Sequence, residues 1–280
     1  MYMKAFLDKC NWETAIFTKW AGRRLQYSDE MISTNRTAVE LGNSGEPHGT
    51  LVAADKQTGG RGRRGRTWES PAGKNLYFSL LLRPDVALEK ASMLTLVMAH
   101  SVAQAIEKTV NIARTQDISS TCQAGIKWPN DILLDGKKVC GILTEMKVAD
   151  GRIDHVVIGV GINVYTQEFN GELMDKASSI EQACNVAVDR EALLRNIMQV
   201  FEEDYEHFVE SGSLKPFVDY YHSRLLNKDA GVRVLDPQDP FEGIARGITE
   251  NGELLVERED GRICHVYAGE VSVRGLLGYI

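Results

Sequence analysis

Residues 125–164 read GIKWPNDILLDGKKVCGILTEMKVADGRIDHVVIGVGINV, and this stretch does most to decide the fold. Short apolar runs follow one another along it, which is the pattern of successive β-strands that bury at least one face. Asp135-Gly136 and Asp150-Gly151 interrupt the runs, and aspartate–glycine pairs favour the tight turns of β-hairpins. The stretch therefore predicts a series of strands joined by hairpins.

Strands and helices are also expected on both sides of this stretch. Residues 50–55 and 75–84 read as buried strands bounded by turn residues. Residues 88–110 carry apolar side chains at helical spacing, and a second amphipathic helix is expected over residues 190–210, after Asp189 as its N-cap. Strands and helices in this order predict an α+β domain.

The character of the chain changes from Gly231 onward. Only short strand patterns follow, separated by asparagine–glycine and aspartate–glycine turns. About 50 residues of this kind predict a small β-barrel appended to the α+β domain. We therefore divide the chain into residues 1–228 and residues 229–280.

Composition narrows the possible classes of protein. The hydrophobic content of 43% and the charged content of 25% are ordinary for a globular protein of 280 residues. No apolar run reaches the length of a membrane span, so no membrane association is expected. The five cysteines are never spaced C-x-x-C, which favours reduced thiols and a cytoplasmic location. The six histidines also lack metal-ligand spacing, so no metal site built from protein ligands is expected.

Residues 59–68 form the first feature that indicates chemistry, and they read GGRGRRGRTW. Four arginines and four glycines are interspersed in these ten residues, although the net charge of the chain is −7. The pattern G-x-G-x-x-G is present, but dinucleotide-binding and Walker loops both need a helix immediately afterwards. Pro71 and Gly73 disfavour such a helix, and the apolar run beyond them reads as a strand. We therefore reject both phosphate-loop interpretations.

Other interpretations of this arginine-rich stretch are a nucleic-acid surface and a plain solvated loop. The negative overall charge and the lack of a second basic cluster disfavour nucleic acid. Four like charges repel one another, which disfavours an ordered loop without a counter-anion. Glycine amides and arginine forks together suit an anionic ligand such as an acyl phosphate or a nucleotide.

A second constellation lies within residues 127–146, KWPNDILLDGKKVCGILTEM. Lys127 and Asp131 should lie together at one end of the sheet, with Lys138 just past a hairpin turn and Gly141 keeping the neighbouring backbone open. Taken alone, Lys138 could equally be an edge-strand charge, and Asp131 could be only a turn residue.

Taken together, GRGRRGRTWESPAGKNLYFSLLLRP, KWPNDILLDGKKVCGILTEM and VVIGVGINV strongly resemble the biotin protein ligases. The resemblance runs from about residue 24 to the C-terminus. It implies a catalytic domain related to class II aminoacyl-tRNA synthetases, a mixed sheet flanked by helices, and a C-terminal SH3-like barrel. It also implies that biotin, ATP and Mg²⁺ react to give biotinyl-5′-AMP and pyrophosphate, and that biotin then passes to a lysine of a biotin carboxyl carrier protein or domain.

The resemblance implies roles for individual residues. The implied biotin-binding residues are Ser33, Thr34, Asn35, Gln57, Gly60, Arg61, Gly62, Arg63, Lys138 and Gly141. The implied adenylate- and ATP-binding residues are Arg63, Trp68, Lys127, Asn130, Lys138, Asn163 and Arg274. Arg63 and Lys138 are expected to stabilise charge during the reaction, and Asp131 is expected to help orient the incoming amine. Ser33 could also act as a helix N-cap.

The N-terminal segment departs from the bifunctional members of the family, which carry a helix-turn-helix repressor module. About 30 residues precede Ser33, and DKCNWETAIFTKWAGRR is expected to form one amphipathic helix with Asp8 near its start. The chain therefore resembles the monofunctional class, and no DNA binding is expected. A homodimer through sheet edges is an additional expectation.

Two rival functions remain open from sequence. The first is a lipoate–protein ligase, although the polar residues Ser33, Thr34, Asn35 and Gln57 favour a ureido ring over an aliphatic chain. The second is a non-enzymatic transcriptional regulator that uses biotinyl-AMP as its corepressor, which the short N-terminal segment disfavours.

Overall fold

The computed structural model describes residue 7 and residues 9–114, 122–236, 238–268 and 272–276. The helices are α1 Lys9–Ala15, α2 Thr34–Asn43, α3 Met93–Ala113, α4 Ile180–Cys184, α5 Arg190–Ser211 and α6 Val218–Arg224. The strands of the first sheet are β1 Leu25–Met31, β2 Thr50–Gln57, β3 Asn75–Leu82, β4 Gly125–Lys127, β5 Asp131–Leu134, β6 Lys137–Ala149 and β7 Arg152–Asn163. The strands of the second sheet are β8 Gly231–Leu235, β9 Phe241–Ile248, β10 Leu254–Glu257, β11 Ile263–Val266 and β12 Ser272–Gly275.

The first sheet has seven strands in the order β1-β2-β3-β7-β6-β5-β4. β1 and β2 are parallel, and every other neighbouring pair is antiparallel. The hairpins predicted within residues 125–164 are confirmed, because the aspartate and the glycine of both turn pairs have positive φ. The expected α+β class with a mixed sheet is likewise confirmed.

The two faces of this sheet have different partners. Along β3, and along β7 from Val156 onward, the even-numbered residues belong to the main core, where α3 and α5 pack on the sheet. The odd-numbered residues Leu81 and Val157 face α2 in a small second cluster. Side chains alternate between the faces of a strand, so the same alternation leaves Ser79, Gly159 and Gly161 on the α2 face.

The helices predicted over residues 88–110 and 190–210 are confirmed, with shifted limits for the first. Asp189 caps α5 as expected, because its side chain accepts a hydrogen bond from the amide of Ala192 at 2.7 Å. α3 begins at Met93 rather than at residue 88, because Leu88–Lys90 forms a separate 3-10 turn.

The long N-terminal helix expected from sequence is wrong. α1 ends at Ala15, and Asp8 lies outside the described residues. The backbone amides of residues 19–21 instead donate hydrogen bonds to the buried carboxylate of Glu202, at 2.7 to 2.9 Å. One carboxylate that binds three successive amides holds them in a turn, so this tertiary contact overrides the local helical pattern.

The second sheet is antiparallel, in the order β11-β10-β9-β8-β12. It shares one hydrophobic core with the first sheet, and the indole N–H of Trp128 donates to the carbonyl of Gly252 at 3.0 Å. The short strands expected after Gly231 are present as β8 to β12. The described helices include none that is long and apolar enough to cross a membrane.

Candidate active site

The arginine-rich stretch of residues 59–68, called the basic loop below, connects β2 to β3. The amide of Gly62 donates to the carbonyl of Arg66 at 2.7 Å, and the amide of Trp68 donates to the carbonyl of Gly60 at 2.9 Å. Arg64 adopts a positive φ of 57° at the tip of this small hairpin. The next regular element after the loop is β3, so the rejection of a phosphate loop that opens a helix is confirmed.

Glycines form the floor of a pocket beside the basic loop. A Cβ on Gly161 would lie 2.5 Å from the indole of Trp68, and a Cβ on Gly141 would lie 2.9 Å from the same ring. Neither distance is compatible with a side chain, so only glycine lets Trp68 lie against the sheet here. The indole N–H of Trp68 is buried and has no hydrogen-bond partner among the described residues.

Polar side chains line one end of the pocket. The amide and the hydroxyl of Thr34 donate to Oε1 of Gln57, at 2.9 and 3.2 Å. The hydroxyl of Ser79 lies 2.9 Å from Oγ1 of Thr34 and 2.7 Å from Oδ1 of Asn35.

The amide nitrogen of Asn35 donates to the carbonyl of Leu143 at 3.2 Å and to Oε2 of Glu145 at 2.9 Å. Both of its amide hydrogens are therefore used within the protein, and Asn35 shapes this wall of the pocket.

Ser33 occupies the N-cap position of α2 with an extended backbone, but its side chain makes no capping hydrogen bond. The expectation that it could also cap the helix through its hydroxyl is therefore wrong. The residue is 3% exposed and lines the pocket. A hydroxyl that does not cap the helix can face a ligand.

Cations and one carboxylate lie at the other end of the pocket. Nζ of Lys138 lies 2.7 Å from Oδ1 of Asp131, and 5.4 Å from the centroid of the Trp68 ring. Nη1 of Arg63 donates to Oδ1 of Asn130 at 2.8 Å, and the Asn130 amide in turn donates to Asp131 at 3.1 Å. This network joins the basic loop to the start of β5.

Burial and mutual repulsion shift the pKa values of these cations. Burial lowers the pKa of Arg63, and the Asp131 carboxylate partly opposes that shift. Burial also lowers the pKa of Lys127 from 10.5 to about 8, again opposed by Asp131 and reinforced by Lys138 and Arg274. A site in which several cations share one carboxylate favours the arrival of an anion.

Most of the residues implied by the sequence do meet in this pocket. Its lining includes Ser33, Thr34, Asn35, Gln57, Arg61, Gly62, Arg63, Trp68, Asn130, Lys138 and Gly141. Gly60 packs against the backbone of Trp68, because a Cβ on Gly60 would be 2.4 Å from the carbonyl oxygen of Trp68. Asp131 joins the site through Lys138, and Lys127 lies opposite Asp131 in the β4–β5 pairing.

Asn163 and Arg274 lie outside the pocket lining. The side chain of Asn163 donates to the carbonyl of Ser178 at 3.1 Å. Arg274 is exposed on β12 of the second sheet, near enough to lower the pKa of Lys127. Their implied adenylate contacts stay predictions.

Sequence reasoning missed several residues of the site. Ser79 interrupts an otherwise apolar strand, and Gly159 and Gly161 alternate with valine and isoleucine, so both patterns carried a detectable signal. Glu145 gave no local signal, because its partners lie far away in the sequence.

Residues 29–163 match the Biotin/lipoate A/B protein ligase family, and residues 231–274 match the Biotin protein ligase C terminal domain. The first match defines the class, a ligase of the biotin and lipoate type. The second narrows it to the biotin branch.

Individual relatives agree with this assignment. The bifunctional ligase/repressor BirA of Bacillus subtilis is 41% identical over 258 residues, which cover 91% of this chain and 76% of the relative. A biotin–[acetyl-CoA-carboxylase] ligase of Paracoccus denitrificans is 30% identical, covering 82% of this chain and 92% of the relative. The solved structure of an Aquifex aeolicus biotin protein ligase with biotin and ATP superposes with a TM-score of 0.75 at 32% identity, covering 90% of this chain and 99% of that one. The chain therefore belongs to the biotin protein ligase family.

Proposed function

We propose that this chain uses the pocket beside the basic loop to carry out both half-reactions of a biotin protein ligase. In the first, biotin and ATP give biotinyl-5′-AMP and pyrophosphate. In the second, a lysine of a biotin carboxyl carrier protein or domain takes the biotin, and AMP is released. The observation that carries this proposal is the convergence of Lys138, Arg63 and Asp131 at one end of a glycine-floored pocket whose other end is polar.

The first half-reaction joins two anions. A carboxylate oxygen of biotin forms a bond to the α-phosphorus of ATP, and the bond from that phosphorus to the β-phosphate oxygen breaks as pyrophosphate leaves. Lys138 and Arg63 would lie beside the reacting groups, where fixed cations stabilise the charge that develops in the transition state. Asp131 and Asn130 already hold these two cations in place, so little reorganisation is needed.

Mg²⁺ is expected to enter bound to the phosphates of ATP. Within the described part of the chain, no group of three or more His, Cys, Asp or Glu side chains could hold a metal ion. Asp131 is a carboxylate beside the proposed phosphate site, and one carboxylate with several phosphate oxygens is a coordination that Mg²⁺ accepts. The ion is therefore part of the substrate, and it would neutralise phosphate charge.

The second half-reaction needs a lysine amine that is uncharged and aimed at the acyl carbon. The amine nitrogen forms a bond to that carbon, the bond from the carbon to the phosphate oxygen of AMP breaks, and the nitrogen releases one proton to solvent. The Asp131 carboxylate lies at this end of the pocket, where it could accept a hydrogen bond from the amine and orient it. Arg63, in the basic loop, would hold the phosphate of the adenylate meanwhile.

The polar end of the pocket favours biotin over lipoate. Ser33, Thr34 and Gln57 offer donors and acceptors that match a ureido ring. An aliphatic acyl chain would offer no partner to the buried hydroxyl of Ser33, which does not cap α2, and an unpaired buried polar group costs roughly 1–3 kcal/mol. A match to a biotin/lipoate family does not by itself make this distinction.

The experiment that tests the proposed activity measures pyrophosphate release from ATP with biotin, lipoate or octanoate offered separately. We expect release with biotin, and little with either of the other acids. Faster release with lipoate or octanoate would assign the chain to the lipoate type instead.

Replacing Lys138 by alanine should slow adenylation much more than it weakens biotin binding. One fixed donor at a developing negative charge is worth roughly 100-fold in rate. Single-turnover adenylation and a biotin titration would separate the two effects. Lys147→Ala is the matched control, since Lys147 is an exposed lysine on the same strand that contacts Asn43. Equal losses in both measurements would make Lys138 a binding residue only.

The remaining proposals concern the domain boundary, the oligomeric state, the cellular location and DNA binding. We propose a boundary between residues 228 and 229, because the second sheet begins at Gly231. A homodimer could form through the edge strand β1, since the outer side of the other edge strand, β4, bridges to Leu225, and the carbonyl of Ile126 accepts a hydrogen bond from the amide of Leu226 at 2.9 Å. We further propose a cytoplasmic location and no binding to DNA.

A further inference from the structure

Glu145 on β6 contacts two parts of the site, and no step of the proposed mechanism connects them. Its Oε2 accepts a hydrogen bond from the side-chain amide of Asn35 at 2.9 Å. The same oxygen accepts a hydrogen bond from Nη2 of Arg61 at 2.9 Å. Asn35 belongs to the polar end of the pocket, and Arg61 belongs to the basic loop, so one carboxylate oxygen joins the two.

Each of these partners is coupled to other groups in the site. Asn35 is only 6% exposed, and its carbonyl oxygen lies 2.7 Å from the hydroxyl of Ser79. Arg61 pairs with Thr67 across the base of the basic loop. A change in the position of either side chain would therefore move the polar end of the pocket or the loop that carries Arg63.

We infer that Glu145 is a positioning residue that holds the basic loop against the polar end of the pocket and so slows the escape of the adenylate. This inference rests on the proposed function, because it presumes that an adenylate forms in this pocket. Glu145 touches no reacting atom in the proposed mechanism. Its effect should therefore appear in retention of the intermediate more than in the rate of its formation.

An ordinary surface ion pair is the competing explanation. The side chains of Arg61 and Glu145 are 49% and 32% exposed, so solvent screens their attraction, and such a pair is worth at most about 1 kcal/mol. This pair differs from an ordinary surface pair because the buried side-chain amide of Asn35 donates to the same Glu145 oxygen. A surface pair with no buried partner makes no such contact with the pocket. A contribution of about 1 kcal/mol corresponds to a change of about fivefold in a dissociation rate.

The experiment measures how fast labelled biotinyl-5′-AMP, formed on the enzyme without carrier, is lost during a chase with unlabelled biotin. The variants are Glu145→Gln, Arg61→Gln and the double variant. Glutamine keeps an oxygen acceptor for Asn35 and removes the charge that faces Arg61. Glu30→Gln is the matched control, because Glu30 forms an exposed pair with Lys56 at 2.8 Å on β1 and β2.

We expect Glu145→Gln and Arg61→Gln each to speed adenylate loss about fivefold, and the double variant to be no faster than the faster single variant. The Tm of Glu145→Gln should shift by less than about 3 °C, and Glu30→Gln should retain adenylate as the parent protein does. Unchanged retention in Glu145→Gln, or a double variant whose effect is the product of the two single effects, would overturn the inference. Failure of the parent protein to form adenylate from biotin and ATP would overturn the proposed function instead.

Discussion

Lys138 and Arg63 show at the residue scale how a chain of net charge −7 keeps cations together in one pocket. Each cation has a fixed partner, Asp131 at 2.7 Å for Lys138 and Asn130 at 2.8 Å for Arg63. A lysine ammonium has three donors and an arginine guanidinium has five, so both retain N–H groups for an anionic ligand. The partners thus position the cations without using all of their hydrogen-bonding capacity.

Replacing Arg63 by glycine should slow adenylate formation without abolishing it, and should let the intermediate escape. A hydrogen bond from a charged group is worth roughly 1.5–3 kcal/mol, so adenylate loss should rise about tenfold or more. Released adenylate would acylate lysines of bystander proteins, which mass spectrometry of an added unrelated protein would detect. Arg64→Gly is the control, because Arg64 is exposed at the tip of the same loop, where its positive φ suits glycine. Labelling confined to the carrier in the Arg63 variant would remove the retention role.

The lowered pKa of Lys127 predicts how the stability of the protein depends on pH. Its pKa is about 8 in the folded protein and near 10.5 when the chain is unfolded, so the unfolded chain binds more protons between these values. Stability attributable to Lys127 should therefore rise as the pH increases from about 8, by up to roughly 3 kcal/mol in total.

Urea unfolding at pH 7.5, 8.5 and 9.5 would measure this effect as the difference between the parent protein and Lys127→Met. The parent protein should gain stability relative to the variant across the series. Lys137→Met, at an exposed lysine of β6, should show no such trend. A constant difference for Lys127→Met would mean that its pKa is the same in both states.

At the scale of elements, β7 combines a packing face and a ligand face in one strand. Val156, Ile158 and Val160 pack into the main core, while Gly159 and Gly161 lie beneath Asn35 and Trp68. The strand period of two places the two sets on opposite faces, so one sequence serves both purposes. The site therefore needs glycine at positions 159 and 161, where a side chain would collide with Asn35 or Trp68.

Replacing Gly159 by alanine should weaken biotin binding by about tenfold or more. The added Cβ would lie 1.6 Å from Oδ1 of Asn35, and overpacking of this kind costs roughly 1–3 kcal/mol. The Asn35 side chain would have to move, which would disrupt its contacts with Ser79 and Glu145. Isothermal titration with biotin would measure the loss, with Arg152→Ala at the exposed start of β7 as the control. Unchanged affinity would show that Asn35 can move without affecting the pocket.

At the scale of the whole molecule, one continuous core joins the two sheets, and Trp128 links the segment from Lys127 to Asp131 to the second sheet. Trp128 donates hydrogen bonds to Asn227 through its backbone and to Gly252 through its indole. The segment that carries Lys127 and Asp131 is thus fixed by the second sheet as well as by the first. Motion of one sheet against the other would move the cations of the site.

The whole chain is expected not to bind biotin-operator DNA. Its net charge of −7 opposes approach to a polyanion, and Arg61 and Arg63 already have partners within the site. Gel shifts at near-physiological salt, with and without biotin and ATP, should show no retained DNA. A shift that requires both substrates and survives competitor DNA would contradict this expectation.

Local sequence determined the elements and much of the site. Strand alternation and aspartate–glycine turns predicted the hairpins of residues 125–164, and Asp189 predicted the start of α5. The basic loop and the segment from Lys127 to Asp131 each hold their site residues close together in the chain, so sequence motifs could identify them. Propensities and turn preferences act between near neighbours, which is why these features could be read directly.

Tertiary structure alone decided the contacts between distant segments. Residue 145 lies 84 residues from Arg61 and 110 from Asn35, and its role depends on the order and register of β6, β7 and β3. Glu202 ends the N-terminal helical pattern from more than 180 residues away. Strand order and register are set by packing of the whole core, so the sequence near Glu145 or near Ala15 contains no record of these partners.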